Sequence, residues 1–172
     1  MKTIHILIGP KGSGKTFIGS LLERRLGVPF LRVEDIARRV KGDRSHDDAA
    51  YIYDVFSAIE GAVRQRLTVS DELAIESTGL TDAFDQMLVG LERDFQVNLI
   101  RITADPGRCL QRVRERDVAQ HVDVSDNHVR RINQMVAQKQ LSWCGEIAND
   151  DADEGSLVAG FCAATGRSRG QN

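Results

Sequence analysis

The segment at residues 9–16 constrains the fold of this 172-residue chain more than any other feature. It matches the pattern Gly-x-x-x-x-Gly-Lys-Ser/Thr and lies between a short apolar stretch, Thr3–Ile8, and an amphipathic stretch, Lys15–Leu26. The first stretch is typical of a buried strand and the second of a helix. The sequence therefore predicts a strand–loop–helix unit whose loop, called the phosphate loop below, binds phosphate groups.

The residue types of the phosphate loop explain this chemistry. Gly9, Gly12 and Gly14 permit positive φ angles that turn successive N–H groups toward one concavity, and the following helix adds the positive end of its dipole. Lys15 can reach the β- and γ-phosphates, and the Thr16 hydroxyl can ligate Mg²⁺. We therefore expect the loop to bind a nucleoside triphosphate, ATP, together with Mg²⁺. The candidate binding residues are Gly9, Pro10, Lys11, Gly12, Ser13, Gly14, Lys15 and Thr16.

Composition indicates one globular domain without a strongly charged partner. The net charge is -2, with 23 basic and 25 acidic residues, so bulk attraction to nucleic acid or to a membrane is not expected. The 3 cysteines are widely spaced and form no Cys-x-x-Cys pair, which favours free thiols in a reducing cytoplasm. The apolar N-terminal stretch is too short for a signal or a membrane-spanning helix. We therefore expect a cytoplasmic protein.

Strand and helix patterns alternate along the rest of the chain. Apolar stretches predict strands near residues 3–8, 28–31, 73–75, 97–102 and 146–148. Helical spacing predicts helices at 15–26, 33–40, 48–67, from Thr81 onward, and at 106–116, 125–140 and 157–164. Gly27 is expected to end the first of these helices, Thr81 to cap the fourth, and Ser125 or Asp126 to cap the helix that ends at residue 140. This alternation predicts an α/β fold in three layers, with a parallel sheet between two helical layers and ligands at the carboxyl ends of the strands. One domain is expected over residues 1–165, followed by a flexible tail at 166–172.

The phosphate loop and the Leu-Gly-x-x-Phe segment at 26–30 resemble the small-molecule P-loop kinases, such as shikimate kinase, gluconate kinase and adenylate kinase. The resemblance covers most of the chain. It implies a P-loop NTPase fold with five parallel strands in the order 2-3-1-4-5, a mobile lid at about 117–124 and an acceptor-binding region at about 32–66. Asn149 and Asp150 follow the last predicted strand, in the position of the family's adenine-side loop.

Residues 105–117 are similar to the lid entry of these kinases, where arginines clamp the triphosphate. Arg112 and Arg116 lie four residues apart, on one face of a predicted helix. Cations at these positions would stabilise the charge on the γ-phosphoryl oxygens in the transition state. Both are candidate catalytic residues, and Arg112 is also a candidate nucleotide contact. A solvated basic helix face would give the same pattern, since Arg108 and Arg114 lie on this helix too.

Carboxylates follow the second and third predicted strands. Glu34, with Asp35 beside it, occupies the position where shikimate kinase-like enzymes place a carboxylate near the acceptor hydroxyl, and it could accept a proton or hold Mg²⁺. The family's Asp-x-Asp pattern is missing, because residues 32–35 are Arg-Val-Glu-Asp, and an acidic helix N-terminus explains the pair equally well. Glu76 ends the third strand, where it would organise Mg²⁺ and water or simply begin a turn.

These features predict an ATP-dependent kinase acting on a small molecule. Five arginines within the acceptor-binding region would suit an anionic acceptor: Arg38, Arg39, Arg44, Arg64 and Arg66. The alternative is a regulatory nucleotide-binding protein with little or no transfer activity. A GTPase is disfavoured because no Asn-Lys-x-Asp segment is present, and a nucleic-acid end kinase lacks the expected basic surface. The sequence is compatible with a monomer or a homodimer.

Overall fold

The computed structural model describes residues 1–42, 48–115 and 125–168, which form five strands and seven helices. The strands are β1 (Thr3–Ile8), β2 (Phe30–Leu31), β3 (Glu72–Ser77), β4 (Gln96–Thr103) and β5 (Trp143–Ala148). The helices are α1 (Lys15–Leu26), α2 (Val33–Lys41), α3 (Ala49–Arg66), α4 (Asp82–Glu92), α5 (Pro106–Arg114), α6 (Asp126–Gln138) and α7 (Glu154–Thr165).

All strand pairs are parallel, and the strand order is β2-β3-β1-β4-β5. In the central strand, Ile6 lies opposite Ile75 of β3 and Leu99 of β4. Ile8 at the end of β1 is level with Ser77 at the end of β3. The phosphate loop and the turn after β3 therefore leave the sheet at the same edge. Both the α/β fold and the predicted strand order are confirmed.

The central strand is apolar on both sides because helices cover both faces of the sheet. Ile6 faces a core formed with α3 and α4, in which Phe84 is fully buried. Leu7 faces a second core formed with α1 and α7, in which Phe161 is fully buried. A strand buried on both faces gives the largely apolar stretch seen at the start of the sequence, which only His5 interrupts.

Helix ends follow the capping residues that the sequence contains. The Thr81 side chain accepts a hydrogen bond from the Phe84 N–H at 3.1 Å, and the Ser125 side chain accepts one from the His128 N–H. Gly27 ends α1 with a φ of 67°, a left-handed conformation that glycine adopts without strain. The predicted cap at Thr81 is confirmed, and Ser125 rather than Asp126 is the cap of α6.

The last strand and helix begin earlier than predicted. β5 starts at Trp143, and its burial alternates, with Ile147 as its well-buried residue, because it forms the edge of the sheet. The apolar signal of such a strand is short. α7 starts at Glu154, since the Asp153 side chain accepts a hydrogen bond from the Ser156 N–H and caps the helix there.

The packed part of the chain continues past the predicted domain end at residue 165. The Arg167 guanidinium donates to both carboxylate oxygens of Glu72, at 2.6 and 2.7 Å. Part of the segment predicted as a flexible tail is thus joined to the start of β3.

Among the helices described, none has the length and apolar character that crossing a bilayer requires.

Candidate functional site

The phosphate loop owes its shape to three glycines, which act in two different ways. Gly12 and Gly14 have φ angles of 85° and 89°, as expected for a loop that turns its N–H groups inward. Gly9 does not have the expected positive φ; a Cβ there would lie 2.3 Å from the Ile102 carbonyl oxygen of β4. Gly9 is therefore required for close backbone packing, and the expectation of a positive φ at this residue was wrong.

The Lys15 ammonium lies over the loop itself. Its Nζ donates to the carbonyl oxygens of Gly9 and Pro10, both at 2.8 Å. The Ser13 N–H also donates to the Pro10 oxygen, at 3.2 Å. Lys15 thus lies at the edge of the phosphate loop, where rotation of its flexible side chain would bring the charge onto a bound phosphate oxygen.

Thr16 and Glu76 form a pair of oxygen atoms beside the loop. The Thr16 hydroxyl donates to Glu76 Oε2 at 2.7 Å. Glu76 is only 8% exposed, and this burial raises the pKa of its carboxyl group. The hydrogen bond from Thr16 and the charge of Lys15 oppose the rise in that pKa. A buried carboxylate is therefore kept next to the lysine and the hydroxyl of the loop.

Two oxygen ligands suit Mg²⁺ that is also held by substrate phosphates, rather than a metal ion bound by protein side chains alone. Within residues 1–42, 48–115 and 125–168, no group of three or more His, Cys, Asp or Glu side chains is arranged to hold a metal ion. Mg²⁺ prefers oxygen ligands and is commonly held by one or two carboxylates together with substrate phosphates. Thr16 and Glu76 supply such oxygens at the phosphate loop.

A cavity of about 200 Å³ adjoins the loop on the side of β2 and β3. One part of its wall is apolar, and the other part carries charged and hydroxyl groups. The cavity is lined by Lys11, Lys15, Thr16, Val33, Glu34, Ala37, Phe56, Glu76, Ser77 and Thr78. We call it the acceptor-side cavity. The structure thus brings Glu34 and Glu76 together with the phosphate loop, as the sequence predicts.

Asp35 is separated from its neighbour Glu34. Its carboxylate pairs with Arg38 at 2.7 Å on the exposed side of α2, and its backbone oxygen accepts from Arg39. Asp35 is not among the described residues that line the acceptor-side cavity. Of the two carboxylates after β2, Glu34 is therefore the candidate that faces the site.

Four of the five arginines expected to bind an anionic acceptor are absent from the described lining of the acceptor-side cavity: Arg38, Arg39, Arg64 and Arg66. Arg64 pairs with Glu60 and with Asp94, at 2.8 and 2.6 Å, and lies over the Phe95 ring. Arg38 and Arg39 bind Asp35, as noted above. None of these arginines belongs to the described lining of the acceptor-side cavity, and Arg44 lies outside the described residues.

Arg112 donates hydrogen bonds to backbone oxygens of the loop after β5 and of the phosphate loop. Its guanidinium donates to the Asn149 oxygen at 2.9 Å, to the Asp150 oxygen at 2.8 Å and, more weakly, to the Gly12 oxygen at 3.5 Å. Arg112 thereby holds the loop after β5 against the phosphate loop. Arg116 and the predicted lid at 117–124 lie outside the described residues.

Asn149 connects the same two loops from the other side. Its buried amide donates to the Ser13 oxygen at 2.8 Å, and a Cβ at Gly14 would lie 2.1 Å from the Asn149 Nδ2. A pocket of about 410 Å³ extends from this contact and is lined by Gly14, Phe17, Arg112, Asn149, Asp150, Asp151 and Ala152. Its position beside the phosphate loop agrees with the predicted adenine-side loop, which stays a prediction.

Sequence reasoning missed one contact to the phosphate loop. Asn133 of α6 accepts from the Lys11 N–H at 2.7 Å and donates to the Lys11 oxygen at 3.0 Å. A signal was available, because Asn133 lies on the same helical face as the buried residues Val129 and Val136. A polar side chain on an apolar face requires a partner.

The comparisons with known proteins agree with this fold. A sugar kinase from a Janibacter species superposes with a TM-score of 0.69 at 12% identity, covering 98% of this chain and 96% of that chain. APS kinase from Mycobacterium tuberculosis, in complex with AMPPNP and APS, gives 0.66 at 13% identity, with coverages of 95% and 98%. Shikimate kinase from Acinetobacter baumannii, in complex with shikimate, gives 0.64 at 14% identity, with coverages of 94% and 90%.

At such identities the likeness establishes the fold, which is that of the small-molecule P-loop kinases. None of the curated proteins matches the chain. The model of the AAA domain family matches residues 4–139, which include β1, the phosphate loop, both candidate carboxylates and helix α6. The chain therefore belongs to the AAA domain family, with the fold of the small-molecule P-loop kinases.

Proposed function

We propose that this protein is an ATP-dependent phosphotransferase that moves the γ-phosphoryl group of ATP to a hydroxyl group of a small molecule. One observation carries the proposal: Lys15, Thr16 and Glu76 of the phosphate site also line the acceptor-side cavity that contains Glu34. Phosphates bound at the loop and an acceptor bound in the cavity would thus lie next to each other. This proximity is what group transfer between two bound substrates requires.

On the donor side, the inward N–H groups of the phosphate loop would bind the phosphate oxygens, and Lys15 would leave the loop carbonyls for the γ-phosphate. Thr16 and Glu76 would hold Mg²⁺, directly or through water. When bound, Mg²⁺ neutralises charge on the β- and γ-phosphates. Asn149 and Arg112 would keep the loop after β5 in contact with the phosphate loop.

On the acceptor side, Glu34 is the candidate general base. The acceptor oxygen would form a bond to the γ-phosphorus while the bond between that phosphorus and the β,γ-bridging oxygen breaks, leaving ADP. The hydroxyl proton would pass to the Glu34 carboxylate. Glu76 is assigned to Mg²⁺ rather than to this role, because its carboxylate lies against the Thr16 hydroxyl at the phosphate loop.

Two further points concern the substrates and the cellular compartment. The structural neighbours include an APS kinase with AMPPNP bound and a shikimate kinase with shikimate bound, which supports ATP as donor and a small acceptor. The described lining of the acceptor-side cavity contains no arginine, so neutral hydroxyl compounds belong in the substrate search beside anionic ones. Consumption of ATP, together with 3 free cysteines, favours the cytoplasm.

The direct test is to incubate the protein with Mg²⁺, γ-labelled ATP and a panel of sugars, sugar acids and hydroxy acids. Label should move to at least one acceptor, and Lys15→Ala should reduce this transfer by about 100-fold or more, since Lys15 is the charge placed for the γ-phosphate. Tight ATP binding with slow hydrolysis and no labelled acceptor would instead support the regulatory nucleotide-binding alternative.

A further inference from the structure

Asn133 is the side chain that joins helix α6 to the phosphate loop. Its Oδ1 accepts from the Lys11 N–H at 2.7 Å, and its Nδ2 donates to the Lys11 carbonyl oxygen at 3.0 Å. Both backbone polar groups of Lys11 are therefore held by the side-chain amide of Asn133. Such two-point contacts fix orientation as well as position.

The contact belongs to a set that holds three consecutive carbonyl groups of the loop. The Lys11 oxygen accepts from Asn133, the Gly12 oxygen from Arg112 at 3.5 Å, and the Ser13 oxygen from Asn149 at 2.8 Å. A peptide that points its oxygen at these donors turns its N–H in the opposite direction. Donors on the outer side of the loop thus favour inward N–H groups at Gly12 and Gly14, which would form an anion-binding concavity, while the Ser13 N–H donates to the Pro10 oxygen within the loop.

Replacing Asn133 would destabilise the observed conformation of the phosphate loop. The residue is half-buried, on the helical face that also buries Val129 and Val136. Without its amide, the N–H and the oxygen of Lys11 would both lose their partner in α6. A polar group left without a partner in a partly buried place costs more than an ordinary hydrogen bond contributes, so the loop would shift to find other partners.

We propose that Asn133 is a positioning residue of the phosphate site: it fixes the peptide groups at Lys11 and keeps the loop in the shape that binds the triphosphate. Asn133 acts through the loop and does not itself touch the phosphates. The inference rests on the nucleotide-binding half of the proposed function and is independent of whether a phosphoryl group is transferred.

The test measures the affinity of the full chain for AMPPNP with Mg²⁺ by calorimetry, in Asn133→Leu and in Asn127→Leu. Leucine is a strong helix former of similar size, so both variants should keep α6 intact. Asn127 is an exposed asparagine on the same helix and serves as the matched control. We expect Asn133→Leu to weaken AMPPNP binding by about 10-fold or more, as the loss of two hydrogen bonds predicts, and Asn127→Leu to leave it unchanged.

A second measurement separates positioning from general destabilisation. In Asn133→Leu, hydrogen exchange at the Lys11 amide should become much faster while exchange at the centre of β1 is unchanged. A variant that binds AMPPNP as tightly as the unmodified protein would overturn the inference, and so would a loss of affinity matched by faster exchange throughout the sheet. If the unmodified protein transfers no phosphoryl group and Asn133→Leu still loses affinity, the proposed activity fails and the role of Asn133 stands.

Discussion

At the scale of single residues, Glu76 is a candidate Mg²⁺ ligand whose buried charge lowers the stability of the fold. Its carboxylate is buried next to the phosphate loop, and burial raises its pKa despite the hydrogen bond from Thr16 and the nearby charge of Lys15. A carboxylate with a raised pKa favours the folded state most when it is protonated. At neutral pH, where the charged form would be needed to hold the proposed Mg²⁺, the charge lowers the stability of the fold.

Replacing Glu76 with glutamine should therefore stabilise the protein and impair its activity. The stability contributed by the protonated Glu76 is present below the ordinary glutamate pKa and is lost as the pH rises through the raised pKa of the folded state. Glu76→Gln should accordingly unfold at a higher temperature than the unmodified protein at about pH 8, and this difference should vanish at about pH 4. Thermal unfolding across this pH range measures the effect.

The same variant should lose Mg²⁺-dependent turnover by roughly 10- to 100-fold, the range typical of residues that organise a metal site. Glu92→Gln, a change to an exposed carboxylate on α4, is the matched control and should alter neither property. An unfolding temperature for Glu76→Gln that stays below that of the unmodified protein at every pH would show that the Thr16 contact outweighs the burial of charge.

Glu34 and Asp35 are adjacent in sequence but should differ sharply in function. Glu34 lines the acceptor-side cavity, whereas Asp35 pairs with Arg38 on the surface of α2. Glu34→Gln should lower kcat by about 100-fold or more, the ordinary contribution of a general base, and should leave AMPPNP affinity unchanged. Asp35→Asn should change neither quantity, because an exposed ion pair contributes little. Equal losses of kcat in both variants would remove Glu34 from the role of base.

At the scale of secondary structure elements, the sequence predicted most where local chemistry alone determines the outcome. The apolar stretch of β1, the cap at Thr81 and the glycine that ends α1 each specify an element without help from distant residues. The edge strand β5 was recognised only in part, because one face of it is largely exposed and its apolar signal is short. The start of α7 was missed because Asp153 caps it ahead of the apolar stretch.

The site was predictable in its residues and less so in their contacts. The phosphate loop, Glu34 and Glu76 meet at one edge of the sheet because parallel strands end together there. The contacts of Arg112 with Asn149 and of Asn133 with Lys11 join residues 37 and 122 positions apart in the chain. No local pattern encodes such partners, because they depend on how α5, α6 and the end of β5 pack together.

Helix α5 offers a test of this packing. Arg112 donates to the oxygens of Asn149 and Asp150, whereas Arg114 on the same helix pairs with Asp126 on the surface. Arg112→Ala should raise the KM for ATP by roughly 10-fold or more, because it removes the charged hydrogen bonds that hold the loop after β5 against the phosphate loop. Steady-state kinetics with varied ATP measures this effect. Arg114→Ala is the matched control, and a comparable rise in its KM would contradict a specific role for Arg112.

At the scale of the whole molecule, a polar network at the opposite end of the sheet connects several elements. In His5 of β1, Nε2 lies 3.3 Å from Oε2 of Glu72 in β3, and Nδ1 lies 3.3 Å from Nδ2 of Asn98 in β4. Glu72 in turn binds Arg167, beyond the end of α7. His5 is only 4% exposed, and its burial lowers its pKa more than the contact with Glu72 raises it. The network therefore holds three strands and the segment after α7 together around a histidine that favours the neutral form.

This burial should make the whole fold sensitive to mild acid. Because the pKa of His5 is lower in the folded state, unfolded chains take up the proton first as the pH falls, and the stability present above the ordinary histidine pKa is progressively lost below it. The unfolding temperature of the unmodified protein should thus fall between about pH 7 and about pH 5, while His5→Gln should show a smaller fall over the same range.

The control for this prediction is His128→Gln, which changes an exposed histidine on α6 and should keep the pH dependence of the unmodified protein. Glu76 acts in the opposite direction, since its raised pKa adds stability as the pH falls toward the ordinary glutamate range. Comparing each variant with the unmodified protein at every pH separates the two effects. A parallel fall in the unfolding temperatures of His5→Gln and the unmodified protein would mean that the network tolerates a charged His5, with Glu72 supplying enough compensation within the sheet.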